Sequence, residues 1–116
     1  RQLSGRQPGG IRWITGSLGN VTKMFAVEDV LFFQAQDKYT RVVTESDEVH
    51  IRTSLRELLG VLDGDAFWQV HRSVIVRVAA IQRIEKDAEG RLQLRLKGRT
   101  DVLPVSGAFQ YRFRTM

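Results

Sequence analysis

Polar and apolar residues alternate in RLQLRLK (91–97), with Leu92, Leu94 and Leu96 on one face of an extended chain and Arg91, Gln93, Arg95 and Lys97 on the other. That is the pattern of a half-buried antiparallel strand. EVHIRT (48–53) alternates likewise, with Val49, Ile51 and Thr53 opposite His50 and Arg52. YTRVVT (39–44) is rich in β-branched residues, and VLFFQAQ (30–36) is an apolar run of strand length. Short strands are also expected from Ile11 to Phe25, broken at Gly16, Gly19 and Asn20, and again at AIQRIEK (80–86) and TDVLPV (100–105). Pro104 in the last of these argues for a sheet edge, because proline cannot donate to a ladder. Turns are expected at 36–38, 46–47, 87–90 and 98–99.

Only one segment has a helical period. In SLRELLGVL (54–62), Leu55, Leu58, Leu59 and Leu62 fall at i, i+3, i+4 and i+7. Ser54 and Glu57 form a capping box, and Gly64 is placed to end the helix. The tail SGAFQYRFRTM is read as a short C-terminal helix with Phe109 and Phe113 at i, i+4. The fold class is therefore mainly β: an elongated arrangement of small antiparallel sheets with one clear amphipathic helix and a short C-terminal one. Residues 1–10, RQLSGRQPGG, read as a linker or mobile tail, and 11–116 as one folded domain.

Composition narrows the classes. The chain has 116 residues, no cysteine and a net charge of +5. No disulfide framework or thiolate metal site exists, and no apolar run approaches the roughly 18 residues of a membrane span. These features fit a domain cut from a larger cytoplasmic protein, with no membrane contact of its own. The charge is uneven: residues 91–116 carry Arg91, Arg95, Lys97, Arg99, Arg112 and Arg114 against the single acid Asp101. Such a segment is either a solvated basic face or a surface for a polyanion, nucleic acid first.

Catalytic chemistry is poorly supported. Phosphate-binding and nucleophile-elbow motifs are absent, and His50 and His71 have no partner at metal-ligand spacing. His71, Ser73 and Asp101 supply the residue types of a triad, but no oxyanion-hole loop accompanies them. The chain is read as a non-enzyme with no catalytic residue, metal or cofactor. The informative stretch is QVHRSVIVRV (69–78), an apolar segment interrupted by His71-Arg72-Ser73 and again by Arg77. Together with 36–41 and 106–108 it forms a set of polar loops between strands, with Arg and Lys to meet phosphates and Arg, Thr and His to reach base edges.

Four motifs in order resemble the LytTR family, the DNA-binding output domain of many bacterial response regulators: AVEDVLFFQAQDKYTRV (26–42), IRTSLRELLGVL (51–62), FWQVHRSVIVRVAAIQRI (67–84) and LPVSGAF (103–109). The third carries the most recognisable signature, Phe-x-x-x-His-Arg-Ser before a hydrophobic run. The resemblance implies loops, rather than a recognition helix, that enter two successive major grooves and touch the minor groove between them. The first loop would be Lys38, Tyr39, Thr40 and Arg41, with Thr40 a candidate base reader and Lys38 and Arg41 holding phosphates or groove edges. The middle contact would come from His71, Arg72 and Ser73, and the second major-groove loop would be Ser106, Gly107 and Ala108, with Arg112 and Arg114 nearby. It further implies double-stranded DNA with paired direct repeats, two domains per site, and an upstream sensor or receiver domain acting through residues 1–10. Two positions depart from the family. Arg77 stands where Asn is usual, as an extra phosphate contact or a solvated side chain. Gly107-Ala108 stands where Arg or Lys is usual, which leaves that loop without a side-chain donor. Other readings of the same residues are a single-strand or RNA-binding module, a protein-interaction domain and, more distantly, a small hydrolase built on Ser73 and His71.

Overall fold

A computed structural model describes residues 10–115. Of the expected tail at 1–10, residues 1–9 lie outside the described residues, and Gly10 already belongs to the fold. It bridges Leu62 at φ +82°, and Ile11 N–H donates to Val61 O at 3.0 Å.

Among the described residues, ten strands form two antiparallel sheets. They are β1 (Trp13–Leu18), β2 (Val21–Ala26), β3 (Val30–Ala35), β4 (Thr40–Thr44), β5 (Glu48–Ile51), β6 (Phe67–His71), β7 (Val74–Arg77), β8 (Ile81–Lys86), β9 (Leu92–Leu96) and β10 (Val102–Pro104). The larger sheet has seven strands in the order β2-β1-β5-β4-β3-β7-β6, and the smaller has three in the order β10-β9-β8. The one α-helix among the described residues, α1, runs Leu55–Leu59. The radius of gyration of 14.7 Å exceeds the ~13 Å typical of a compact domain of about 100 residues, so the elongated shape is real.

The apolar runs become the central strands because both faces of the large sheet are covered there. On one face Val30, Phe33, Val42, Val49, Ile75 and Phe67 pack with Leu55 and Leu58 of α1. On the other, Phe32, Val43, Val74 and Val76 pack against Leu94, Leu96 and Leu103 of the small sheet. QVHRSVIVRV resolves into two strands, β6 and β7, with Arg72-Ser73 as the hairpin turn and the apolar residues on both sides of it buried. Pro104 lies on β10, an edge strand, as its missing donor requires.

Three expectations are corrected. Gly16 does not break a strand: it lies inside β1, where a Cβ would come within 2.7 Å of Val49 and 2.8 Å of His50 O, so the close approach of β5 demands glycine. The helix ends at Gly60, whose N–H donates to Glu57 O at 3.1 Å, rather than at Gly64; Leu59 is left exposed. The C-terminal helix, Gly107–Phe113, is a 3-10 helix, and it still brings Phe109 and Phe113 onto the second core. The capping box forms as expected, with Glu57 N–H donating to Ser54 Oγ at 3.1 Å and Ser54 N–H to Glu57 Oε1 at 3.0 Å. Among the described residues no helix is long and apolar enough to cross a membrane.

Candidate nucleic-acid interface

Strand register decides which loops meet. β3 pairs with β4 so that Ala35 faces Thr40, and with β7 so that Gln34 faces Val74. The β3–β4 turn and the β6–β7 turn therefore leave the same end of the sheet. They are tied together there, because Ala35 N–H donates to Ser73 O at 2.8 Å. Ser106 joins on the other flank, its N–H donating to Val70 O at 2.9 Å. Thr40 faces Ile51, which brings the β5–α1 junction to this end as well. Four polar segments (52–54, 36–39, 71–73 and 106–108) thus stand in a row across one pole of the sheet.

The expected residues fare differently within that row. Lys38 and Arg72 are exposed, with no hydrogen bond, ion pair or ring contact among the described residues. Their charges are free to meet an anion. His71 braces its own turn: Nδ1 accepts the Ser73 N–H at 3.1 Å and lies 2.8 Å from Ser73 Oγ. That pair fixes the backbone that carries Arg72. Tyr39 is exposed and stacks on His50, with ring centroids 3.9 Å apart. Gly107 and Ala108 are exposed and open the C-terminal 3-10 helix.

Four of the expected residues are engaged within the fold itself. Thr40 is buried, with its hydroxyl donating to Thr53 O at 2.7 Å. It lies on the α1-side face of β4 and staples the end of β5. Arg41 donates to Glu48 Oε1 at 3.2 Å and to Gln34 Oε1 at 3.0 Å, so a carboxylate already neutralises it. Arg77 sits at the far end of β7, donates to Val30 O at 2.8 Å and to Val27 O, and covers the Phe67 ring at 4.5 Å. Burial pulls its pKa below the ordinary arginine value, and Glu28 and Asp29 partly oppose that shift. In the fold it clamps the start of β3 through these carbonyls. Arg112 lies along β6 with its guanidinium 5.3 Å from the Trp68 ring and 5.2 Å from that of Tyr111, away from the loop row.

Within the basic last quarter, Arg95, Lys97 and Arg99 are engaged elsewhere. Arg95 pairs with Glu85 at 3.0 Å, Arg99 with Asp101, and Lys97 donates to Ala79 O at 3.1 Å. What the fold segregates is different. Glu28, Asp29, Glu45, Asp47, Asp63 and Asp65 lie around the opposite ends of the same strands, with Lys23 and Arg77 among them, while Lys38, Arg72 and Arg52 stand at the loop pole beside Asp37. Sequence reading missed Arg52. It is exposed and without a partner among the described residues, and it lies just past Ile51 on the backbone that Thr40 and the capping box hold. Strand alternation places it on the side of His50, and that alternation was the available signal.

Comparison with known proteins bears on the family and the fold. The model of the LytTr DNA-binding domain family matches residues 20–116. An uncharacterized response regulatory protein of Vibrio cholerae is 35% identical over 106 residues, which is 88% of this chain and 40% of that protein. The CO-responsive transcriptional regulator RcoM of Rhodospirillum rubrum is 33% identical over 107 residues, 92% of this chain and 45% of that one. The chain thus spans less than half the length of these relatives. Among solved structures, the LytTr DNA-binding domain of a Bacillus cereus methyl-accepting/DNA response regulator superposes with a TM-score of 0.81 at 28% identity, covering 90% of this chain and 95% of that one.

Proposed function

This chain belongs to the LytTr DNA-binding domain family, and from that premise we propose that it reads specific double-stranded DNA as the output portion of a longer cytoplasmic transcriptional regulator. An upstream receiver or sensor portion controls it, and it acts by binding rather than by catalysis. The observation that carries the reading is the tie between Ala35 N–H and Ser73 O, which fixes the Lys38 turn and the Arg72 turn side by side on rigid strands. Lys38 and Tyr39 enter the first major groove, Arg72 faces the minor groove on its His71-Ser73 brace, and Ser106-Gly107-Ala108 approaches the second major groove. Arg52 holds a phosphate beyond the first loop. Two copies occupy paired direct repeats.

The size of the row bears on DNA shape. At ~4.8 Å per strand, the backbone from the β3–β4 turn to Ser106 spans about 17 Å. Successive major grooves of straight DNA lie ~34 Å apart. Contact at both ends therefore requires the duplex to bend around the pole, at an elastic cost of order 1–6 kcal/mol that flexible steps lower. Part of the sequence preference then resides in deformability.

The test is a salt titration on duplex DNA with sites selected from random sequence. The logarithm of the binding constant falls linearly with the logarithm of salt, and Arg72→Ala or Arg52→Gln each lowers the slope by about one unit if each contacts one phosphate. A wild-type domain that shows no preference over random duplex, or prefers single strands, refutes the reading.

A further inference from the structure

The fourth segment of the pole has a chemical gap. Ser106, Gly107 and Ala108 carry no side chain longer than a hydroxyl, so they offer nothing that can make a paired hydrogen bond to a base edge. The smaller sheet brings a candidate to the same place. β10 pairs with β9 so that Leu103 faces Leu94 and Pro104 faces Gln93. The ladder continues one step further, with Val105 N–H donating to Leu92 O at 3.1 Å. The paired strands end at Pro104 and Gln93; extending their register two steps, past the Val105–Leu92 bond, would put Arg91 across from Ser106. Residues opposed in this way have Cα atoms about 5 Å apart and side chains on one face.

Arg91 is also free and steadily held. Its side chain is exposed and meets no partner among the described residues. Its backbone is fixed on both sides: its N–H donates to Asp87 Oδ1 at 2.9 Å, and its carbonyl accepts Asp87 N–H at 2.9 Å. The Asp87 carboxylate also accepts Glu89 N–H at 2.9 Å, so it serves the turn and forms no ion pair with the guanidinium. Leu92 beside it points into the core shared with Val70 and Val74, which couples this turn to the strands that carry Arg72. The turn contains Lys86, Asp87, Glu89 and Arg91 and is therefore electrically neutral. A neutral turn with one projecting guanidinium is poorly suited to general phosphate attraction and well suited to a directed, bidentate contact.

We propose that Arg91, lent by the β8–β9 turn across the ladder to Ser106, is the specificity-determining residue of the second major-groove contact, with the O6 and N7 edge of a guanine as its ligand. This rests on the DNA-reading function above. It assigns to a residue in the smaller sheet a contact that the loop at 106–108 lacks the atoms to make.

The experiment compares sites selected from random duplexes by the wild-type domain, Arg91→Lys, Arg91→Ala and the double variant Arg91→Ala/Gly107→Arg, each first shown to be folded by circular dichroism. Preference at one base position at an edge of the site falls by about tenfold to a hundredfold in both single variants, the range lost with one bidentate pair. Arg91→Lys keeps the wild-type salt slope, because the charge is retained. The double variant regains a preference at that edge, since a Cβ at Gly107 meets nothing within 4 Å and an arginine there has room. An unchanged site for Arg91→Ala overturns the inference. So does a uniform loss across all sequences with a salt slope reduced by about one, which would make Arg91 a phosphate contact. Absence of any wild-type preference refutes the DNA-reading function itself, whereas a specific wild type indifferent to Arg91 refutes only this assignment.

Discussion

Replacing Arg77 with methionine separates a structural arginine from a DNA-binding one. In the fold its guanidinium donates to the carbonyls of Val30 and Val27 and lies 4.5 Å from the Phe67 ring centroid. Net contributions of about 1.5–3 kcal/mol are typical for a hydrogen bond from a charged group, and about 0.5–1 kcal/mol for a partly exposed cation–π contact. Methionine regains packing against Phe67 and removes the desolvation cost that depresses the arginine pKa. Val27 O keeps the Val30 N–H as a partner, but the fully buried Val30 loses its clamp. The expected net loss is about 2–4 kcal/mol, a fall in Tm of roughly 10 °C or more for a domain of this size. Thermal and urea unfolding followed by circular dichroism measure it. At a temperature where the variant is still folded, duplex affinity and salt slope stay at the wild-type values, because Arg77 lies at the opposite end of β7 from Arg72. Arg77→Lys falls between the two, since one ammonium cannot span both carbonyls. A stability change under about 0.5 kcal/mol, or an unchanged Tm with a salt slope lowered by one unit, refutes the clamp.

Three further outcomes follow from the same geometry. Gly16→Ala places a methyl group 2.7–2.9 Å from β5 atoms and destabilises by about 1–3 kcal/mol without altering DNA preference; a neutral effect in urea unfolding would mean that β1 does not approach β5 this closely. Thr40→Val keeps the shape but removes the bond to Thr53 O, costing about 1–3 kcal/mol while leaving the selected site unchanged; a changed site would restore Thr40 as a base reader. Asp47 is held below the ordinary aspartate value of 3.8, first by the Lys23 ammonium and then by the Glu48 N–H. A lowered carboxylate contributes stability above its unfolded value and loses it as pH falls through the folded one. The Tm advantage of wild type over Lys23→Met therefore shrinks as pH falls below 3.8 and is gone once pH lies below the still lower folded value, and a gap that persists at that acid end would exclude this ion pair as its source.

Much of the fold is legible in local pattern. Leu92, Leu94 and Leu96 alternate because β9 buries one face, and VLFF and VIV run unbroken because β3 and β7 are buried on both. The Ser54-Glu57 capping box is legible because both partners lie within one turn. The polar loops around Lys38 and Arg72 are legible as interruptions of apolar runs. Each of these rests on chemistry between near neighbours, which the order of residues states directly.

Tertiary structure alone decided where the loops stand and which cations are free. The order β2-β1-β5-β4-β3-β7-β6 follows from pairings between distant segments, and only it places residues 36–39, 52–54, 71–73 and 106–108 at one pole. Arg41 and Arg72 look alike in the sequence, yet the register gives one of them Glu48 and Gln34 and leaves the other in water. Thr40 and Arg77 look like candidate DNA contacts until the sheet turns the first into the core and sets the second over backbone carbonyls. The β9–β10 ladder brings the turn that carries Arg91 toward the segment after Pro104, which the sequence order does not state. Side-chain period is local, but the partner of a charge is fixed by strand pairing, and that pairing is selected by the burial of two cores that no short stretch of this chain contains.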